Sequence, residues 1–369
     1  MSALTLVFHA PYGLQQSFPG GAGSSGPGRT GNTFIATRRA TVLSAEGAVV
    51  RIPVISANAM RARLRRAVAR ELERLAFPDG AATMNWQVAA LLYAGGAQIK
   101  DVRAPDVLTA IADFLPVYLF GGNWFVDQIP GHLVATDLMM ATTANPPALF
   151  RLPLAETFLA DPERDARLVP VVGEADGHLV QTVALSSRLD EALDLDDARR
   201  PMDPRLVMDA ETAEHLAVTA STRRAAEDGA GDARTGLIFE YQVAIGNTWW
   251  FGGLDVLGGA DAPRTRQAQS LLRWAAETVY QGATVLGGKH NHGYGLAEGA
   301  VLLPEDWPDA DLWRREWLPT VVDDLRTLLG PQSPWIATRI VKTSAAETKA
   351  RAQKKQAERK AAQAADAEA

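Results

Sequence analysis

The sequence contains no cysteine among its 369 residues. That absence excludes a disulfide framework, a thiolate metal site and cysteine catalysis, and it fits a reducing cytosol. No stretch approaches the roughly 18 to 20 uninterrupted apolar residues that a membrane-spanning helix needs. The short apolar run Leu4 to Phe8 also has no basic flank before it, as a signal peptide would have. We therefore expect a cytoplasmic protein that does not enter a membrane.

Several signatures of catalysis and cofactor binding are also missing. There is no Gly-x-Ser-x-Gly elbow, and no histidine stands in a recognisable catalytic motif. His290 follows Lys289 where a P-loop needs Ser or Thr. His290 and His292, with no carboxylate before Glu298, are a thin ligand set for a metal. We accordingly predict no catalytic residue, no metal and no cofactor.

Positive charge is concentrated near the N-terminus, although the whole chain carries a formal net charge of −6. Residues 1–104 contain 12 Arg and Lys against five Asp and Glu, and residues 342–369 contain seven against four. The segment between them is therefore strongly acidic, most visibly at residues 189–197. This asymmetry indicates an anion-binding surface at the N-terminal end, beside an acidic region.

The predicted elements follow the order strand, helix, strand, then strand, helix, strand, around long loops. This order predicts an α+β fold of the ferredoxin-like type. We expect residues 1–150 to form its first part, with a glycine-rich loop and a basic helix. Residues 151–235 are expected to form an acidic inserted lobe, residues 236–341 the second part, and residues 342–369 a charged low-complexity tail.

The strongest periodic segment is the predicted helix from Ala59 to Ala76. Its apolar residues recur at helical spacing and make one face, formed by Met60, Leu64, Val68, Leu72 and Leu75. Ser56 or Asn58 can cap its start. Pro53, which has no backbone N–H, is expected to break the strand pair before it.

Four arginines crowd the first turns of this helix: Arg61, Arg63, Arg65 and Arg66. Cations near a helix N-terminus oppose the helix macrodipole, and no acidic residue lies between Gly47 and Arg70 to offset them. Arginine side chains and the free backbone N–H groups of a helix start together make a phosphate site. The pattern therefore predicts polyanion binding, most readily of RNA, at these first turns.

Other arginines need separate interpretations. Arg38 and Arg39, on the preceding strand, belong to the predicted phosphate surface by the same argument. Arg70 and Arg74 lie later in the helix, where acidic neighbours such as Glu71 can pair with them. A solvated helix face explains these two, because surface ion pairs contribute only about 0.2–1 kcal/mol.

Four segments, in this order, resemble the RAMP superfamily of CRISPR-associated proteins. They are Arg51-Ile-Pro-Val-Ile-Ser-Ala-Asn-Ala-Met-Arg-Ala-Arg-Leu-Arg-Arg66, Leu119-Phe-Gly121, Arg234-Thr-Gly-Leu-Ile-Phe-Glu240, and the glycine-rich Gly287 to Gly295 that ends in Gly-Tyr-Gly. The resemblance covers residues 3–303 and leaves out the acidic lobe and the tail. Length and layout are most similar to the backbone subunit of multi-subunit effectors, the Cas-seven family, with type IV as the suggested system.

This resemblance implies an RRM-like palm with inserted lobes of the thumb or finger type. It also implies copies that assemble head to tail along guide RNA, beside other effector subunits, while base pairing selects the target nucleic acid. Carried over by position, the residues that would hold guide phosphates are Ser56, Asn58, Arg61, Arg63 and Arg65, assisted by Lys289, His290 and the loop around Arg29 to Arg38.

One departure from the family changes the expected activity. Backbone subunits that cut target RNA carry an aspartate in the loop before this helix, whereas this sequence has none before Asp79 and only Glu46 in a turn. We therefore predict a binding scaffold without nuclease activity. Two alternatives remain: a guide-processing endoribonuclease with His9 or His290 as general base, and a globular domain whose basic helix binds an acidic protein.

Overall fold

A computed structural model of the chain describes residues 3–22, 33–44, 46–78, 86–96, 102–103, 108–124, 127–145, 152–159, 168–171, 176–186, 238–259, 262–287, 294–329 and 341–342. The strands are β1 Leu4–Ala10, β2 Ser17–Ala22, β3 Thr33–Thr37, β4 Arg39–Leu43, β5 Val49–Ile55, β6 Val102–Arg103, β7 Gly122–Trp124, β8 Asp127–Ile129, β9 Leu133–Ala135, β10 Leu138–Met140, β11 Val180–Ser186, β12 Ile238–Ala244, β13 Thr248–Val256, β14 Gly282–Val285, β15 Leu296–Leu302 and β16 Val341–Lys342.

The helices are α1 Ala57–Ala76, α2 Trp86–Ala94, α3 Leu108–Asp113, α4 Leu115–Phe120, α5 Pro153–Leu159, α6 Pro263–Tyr280, α7 Ala310–Leu312 and α8 Leu318–Leu329. A 3-10 turn, Asp176–Leu179, precedes β11, and a π-helical turn, Trp313–Trp317, joins α7 to α8. Within these ranges, no helix combines the length and the apolar character needed to cross a membrane.

An antiparallel eight-stranded sheet forms the centre of the fold. Its strands follow the order β14-β15-β1-β13-β10-β5-β4, with β9 paired to β13. In the middle, Thr5 of β1 lies opposite Gly253 of β13 and Leu302 of β15. Helix α1 lies between β1 and β10 in the chain, and α6 lies between β13 and β15. The predicted α+β class is confirmed, and this strand order is compatible with a ferredoxin-like palm.

A second sheet has the order β11-β12-β3-β2, in which β3 runs parallel to β12. Strand β11 falls within the predicted inserted lobe, but the acidic block at 189–197 and the tail after residue 342 lie outside the described residues. The predicted domain boundaries therefore stay predictions. The central sheet does combine strands from the two predicted palm parts, because β1 pairs with β13 and β15, and β10 pairs with β13.

Alternate residues of β1 face opposite sides of the central sheet, as strand geometry requires. Leu4, Leu6 and Phe8 belong to the main core, which also contains the buried faces of α1 and α6. The ring of Phe8 meets that of Tyr280 edge to face, with centroids 5.6 Å apart. On the other side, Val7 packs in a smaller cluster that includes Ala155 of α5. The sheet is thus covered on both faces.

Helix α1 buries the predicted apolar face. Its fully enclosed residues are Met60, Leu64, Val68, Ala69, Leu72 and Ala76. Leu75 is only partly buried. At the C-terminal end, Arg326 of α8 donates to the carbonyl oxygens of Leu75 and Ala76, at 3.0 and 3.2 Å. A cation there satisfies carbonyls that the helix leaves unpaired and opposes the negative end of its dipole.

Pro53 does not break the strand pair, so that prediction is wrong. It lies inside β5, opposite Arg39 of β4. Pairing between β5 and β10 stops at Val54 and Met139. Among the described strands, Pro53 therefore has a partner on one side only, and its missing N–H interrupts no ladder toward β10.

The packing of α1 predicts that two leucine substitutions differ in their effect on the free energy of unfolding. Leu64 is completely buried, whereas Leu43 at the end of β4 is 66% exposed. Leu64→Ala is expected to lower the free energy of unfolding by about 2 to 5 kcal/mol, through lost burial and a residual cavity. The same substitution at Leu43 should change it by less than about 0.5 kcal/mol. Urea denaturation measures both, and equal effects would contradict the packing described.

Candidate nucleic-acid interface

The start of α1 is held by groups from separate segments of the chain. Ser56 is the N-cap, and its Oγ accepts from the backbone N of Ala59 at 3.3 Å. Gln16 binds Ser56 twice: its Oε1 accepts from the Ser56 backbone N, and its Nε2 donates to Ser56 Oγ at 2.9 Å. Asp137 Oδ1 accepts from the backbone N of Ala57 at 2.8 Å. Side chains thus already engage this helix start.

These contacts correct the sequence argument about free N–H groups. The N–H groups of Ala57 and Ala59 already have side-chain acceptors. The acidic residue that the first turn lacks is supplied by Asp137, which lies between β9 and β10, two strand segments that both pair with β13. An anion at the positive end of the helix dipole is favourable, and here the protein provides its own. Ser56 is therefore a cap bonded within the protein, whereas the Asn58 side chain is exposed.

Arg61 and Arg65 are directed to backbone carbonyls. Arg61 Nη2 donates to Leu133 O at 2.9 Å, and its buried Nε has no hydrogen-bond partner among the described residues. Arg65 Nη2 donates to the carbonyl oxygens of Phe120 and Gly121, at 2.7 and 2.9 Å. Burial, reinforced by the nearby charge of Arg61, lowers the pKa of Arg65 to about 10. Both guanidinium groups thus connect α1 to its neighbours.

Arg63 is half-buried and faces the end of α6. Its guanidinium lies 5.8 Å from the centroid of the Tyr280 ring, and its Nη2 is 3.4 Å from Thr284 Oγ1. Burial lowers the pKa of Arg63, against the opposing effect of Tyr280, and the charge of Arg66 adds to the lowering. Tyr280 in turn donates from its hydroxyl to Met60 O at 2.9 Å. Arg63 is therefore partly committed to packing.

Arg66 and Arg70 are the two arginines that project from the helix into solvent without an acidic partner. Both are exposed, and neither forms an ion pair with a described carboxylate. The Nε of Arg66 donates only to Ala62 O, one turn earlier. Asn58, Ala62, Arg66 and Arg70 are spaced four residues apart, so they form one row along the helix surface. We call Asn58, Arg66 and Arg70 the exposed row.

Arg74 behaves as the sequence predicted. Its Nε and Nη2 donate to the two carboxylate oxygens of Glu71, at 3.0 and 2.9 Å. The hydrogen bond from Arg74 lowers the pKa of Glu71, against the effect of partial burial. The prediction of a solvated, paired side chain is therefore confirmed for Arg74, whereas Arg70 lacks such a partner among the described carboxylates.

Arg38 lies between β3 and β4, not within a strand as predicted, and Arg39 is the first residue of β4. The backbone N of Arg38 donates to Gln16 O at 2.8 Å, which brings Arg38 close to the residue that holds Ser56. Arg39 Nη2 donates to Gln242 Oε1 at 3.1 Å, so it contacts β12 of the second sheet. Arg38 thus lies near the helix start, and Arg39 is bonded to another strand.

The remaining predicted phosphate contacts, at Arg29, Lys289 and His290, lie outside the described residues. The glycine-rich segment does begin beside the helix start. Gly287 has φ +74°, and a Cβ there would come within 2.1 Å of Gln15 O and 3.3 Å of Ile55 Cδ1. Only glycine fits such a close approach in this backbone conformation.

His9, the general-base candidate of the endoribonuclease alternative, packs beside the aromatic residues of β13. His9 Nε2 lies 2.9 Å from Asn247 Oδ1, and the His9 ring packs on Trp249 with centroids 5.0 Å apart. Trp250 and Phe251 of β13 are buried, so their rings belong to the core. Across the described ranges, no group of three His, Asp or Glu side chains could hold a metal ion.

Sequence reasoning missed Gln16 and Asp137. Neither carries a local signal, because Gln16 precedes a short strand and Asp137 lies between two strand segments that both pair with β13. Arg61 and Arg65 did carry one: on a helical wheel they flank the apolar face, where a side chain is drawn into the protein.

The different structural roles of Arg65 and Arg66 predict different effects of their loss on the free energy of unfolding. Arg65→Ala is expected to destabilise the fold by about 2 to 4 kcal/mol, because two carbonyls lose a charged donor. Arg66→Ala should change the free energy of unfolding by less than about 0.5 kcal/mol. Chemical denaturation of the two variants tests this, and an Arg65→Ala protein as stable as Arg66→Ala would contradict the assigned role.

No family model matches this chain, and no curated protein matches its sequence. Among solved structures, a chain of a "Type IV-B CRISPR Complex" is 12% identical with a TM-score of 0.43; the match covers 85% of this chain and 99% of that one. An apo "Type III-B Cmr-beta" chain is 10% identical with a TM-score of 0.35, covering 83% and 98%. A chain of the same complex bound to cognate target RNA is 11% identical with a TM-score of 0.38, covering 82% and 97%. Similarity at this level carries no functional argument. All three neighbours are chains of CRISPR complexes.

Proposed function

We propose that this protein is a non-catalytic, RNA-binding backbone subunit of a CRISPR effector complex, and that the exposed row of α1 contacts the guide-RNA phosphates. The observation that carries this proposal is the pair Arg66 and Arg70, two exposed cations with no described acidic partner. Arg74, one turn further along the same helix, is instead paired with Glu71. Two unpaired guanidinium groups one turn apart favour an external anion.

The chemistry of the row suits a guide strand whose bases must stay free. Arginine donors and an amide reach phosphate oxygens without reading base edges. Arg66 and Arg70 stand one helical turn apart, roughly 6 Å along the axis. Such a surface binds any sequence, as a subunit that carries many different guides requires. Arg63 lies beside the row and adds positive charge, although Tyr280 and Thr284 restrict its position.

The proposal also includes the assembly that the resemblance implies. Copies of the chain associate head to tail along the guide, other effector subunits join them, and the target nucleic acid pairs with the guide. The segment 151–235 is the proposed thumb-like lobe, and its acidic block offers a charge opposite to that of the exposed row. Opposite charges on two surfaces of one chain favour this heterologous contact.

RNA copurification tests the proposed site. The double variant Arg66→Glu with Arg70→Glu is expected to lose bound RNA and to weaken single-stranded RNA affinity by about tenfold or more, because it removes two phosphate contacts and adds repulsion. The ratio of ultraviolet absorbance at the nucleic-acid and protein maxima reports the first effect. Fluorescence anisotropy with a labelled RNA reports the second.

A matched control separates this site from net charge alone. Arg266→Glu with Arg315→Glu changes the net charge equally, at exposed positions outside α1. That variant should retain most of its RNA. Equal losses in both variants would point to unspecific charge attraction, and RNA-free wild-type protein that captures an acidic protein would support the partner-binding alternative. Arg61→Glu with Arg65→Glu is unsuitable, because both side chains support the fold.

The absence of cleavage is a separate part of the proposal. Glu46 is exposed in the turn between β4 and β5, and it is the carboxylate nearest before α1 in the sequence. Purified protein with guide and target RNA, with and without Mg²⁺, should yield no product on a denaturing gel. A metal-dependent product that Glu46→Gln abolishes would refute a purely binding role. Cleavage of repeat RNA without metal would favour the guide-processing alternative.

A further inference from the structure

We propose that Asp137 is a positioning residue, whose negative charge keeps nucleic-acid phosphates away from the first turn of α1 and directs them to the exposed row. The proposal rests on the function proposed above, since it concerns where along α1 the same RNA backbone lies. The two proposals concern different residues and predict opposite changes in RNA affinity. Loss of an arginine in the row weakens binding, whereas loss of the Asp137 charge strengthens it.

The position of Asp137 is set by the sheet. Leu138 pairs with Ile55, so the residue before Leu138 comes next to the residues that follow Ile55. There Asp137 Oδ1 accepts from Ala57 N at 2.8 Å. The preceding residue is anchored independently: Thr136 Oγ1 accepts from Gly253 N at 2.8 Å, and Thr136 N donates to Gly253 O at 3.0 Å. The carboxylate is therefore held at the helix start by two neighbouring strands.

A phosphate cannot share this place with Asp137. The start of a helix attracts anions through its exposed N–H groups and its dipole. Here a carboxylate takes the N–H of Ala57, and Ser56 Oγ takes that of Ala59. A phosphate would meet a fixed negative charge and, at Ala57 or Ala59, would have to displace an existing hydrogen bond. The most favourable anion position on an ordinary helix is thus already occupied.

The nearest arginines do not offset that repulsion. Arg61 is one turn from the helix start, but its guanidinium donates to Leu133 O. Arg65, one turn further, is directed to Phe120 O and Gly121 O. No ion pair joins Asp137 to either of them among the described contacts. The first free cation along the exposed row is Arg66. Repulsion by Asp137 and attraction by Arg66 therefore both direct a phosphate toward the exposed row.

The substitution Asp137→Asn tests the charge with little change of shape, because the amide oxygen can still accept from Ala57 N. With full-length protein freed of bound RNA and a fluorescein-labelled single-stranded RNA, affinity at low salt should rise about threefold to tenfold. The slope of log affinity against log salt should steepen by about 0.7, the value for one added phosphate contact on a single strand. Asp137→Glu keeps the charge and should show neither effect.

Glu305→Gln is the control for net charge, because it removes one negative charge from an exposed turn after β15. It should leave affinity and slope unchanged. Asp137→Ser, neutral and able to accept a hydrogen bond at a helix start, repeats the test if the amide variant folds poorly. Unchanged binding in a folded neutral variant, or equal tightening by Glu305→Gln, would overturn the inference about Asp137.

The two proposals fail in different ways. If the Arg66 and Arg70 variant loses RNA while neutral Asp137 variants bind as wild type, only the positioning role of Asp137 is refuted. If the Arg66 and Arg70 variant binds as tightly as wild type, the proposed RNA site itself is refuted, whatever the Asp137 variants do.

Discussion

Burial of the apolar face of α1 determines which of its arginines can meet a ligand. Met60, Leu64 and Val68 are each no more than 1% exposed. Rotation of the helix about its axis would return these side chains to water, at about 1.5–3 kcal/mol for each large one. Because the rotation is fixed, side chains beside the apolar face point into the protein, and side chains on the opposite face point into solvent. The charge that a partner meets is therefore a consequence of core packing.

The arginines at the border of that face required acceptors inside the fold. Arg65 obtains them from the last residue of α4 and from Gly121, where a helix leaves carbonyls unpaired. Gly121 has φ +66°, and a Cβ there would lie 2.5 Å from the backbone N of Gly131. The segment Leu119-Phe-Gly121 thus has a structural task in this protein. It presents carbonyl oxygens to the basic helix, and only glycine permits the approach of residue 131.

The helix start shows the same dependence on distant residues. A basic first turn with no acidic neighbour looks like an empty anion site when only nearby residues are considered. The fold places Asp137 against Ala57 and Gln16 against Ser56, so part of that site is filled from within. The remaining positive charge lies further along the helix, at Arg66 and Arg70. The surface that favours a polyanion is consequently displaced from the helix start to the exposed row.

Many features of α1 could be predicted from the sequence because they depend on residues within about one helical turn. The observed helix Ala57–Ala76 begins two residues before the predicted start at Ala59 and ends where predicted. Its N-cap and most of its apolar face also follow from local spacing, as does the turn between β4 and β5. The α+β class followed from the order of such elements.

The tertiary structure alone decided how each polar group is used. Leu133, Phe120 and Asp137 lie between 55 and 80 residues from their partners on α1, and nothing in the local sequence connects them. Pro53 fits its strand because a neighbouring ladder ends one residue away. A hydrogen bond depends on which atoms the fold brings within about 3 Å. The sequence by itself therefore determined where arginines are concentrated, and only the packed structure decided which of them remain available to bind.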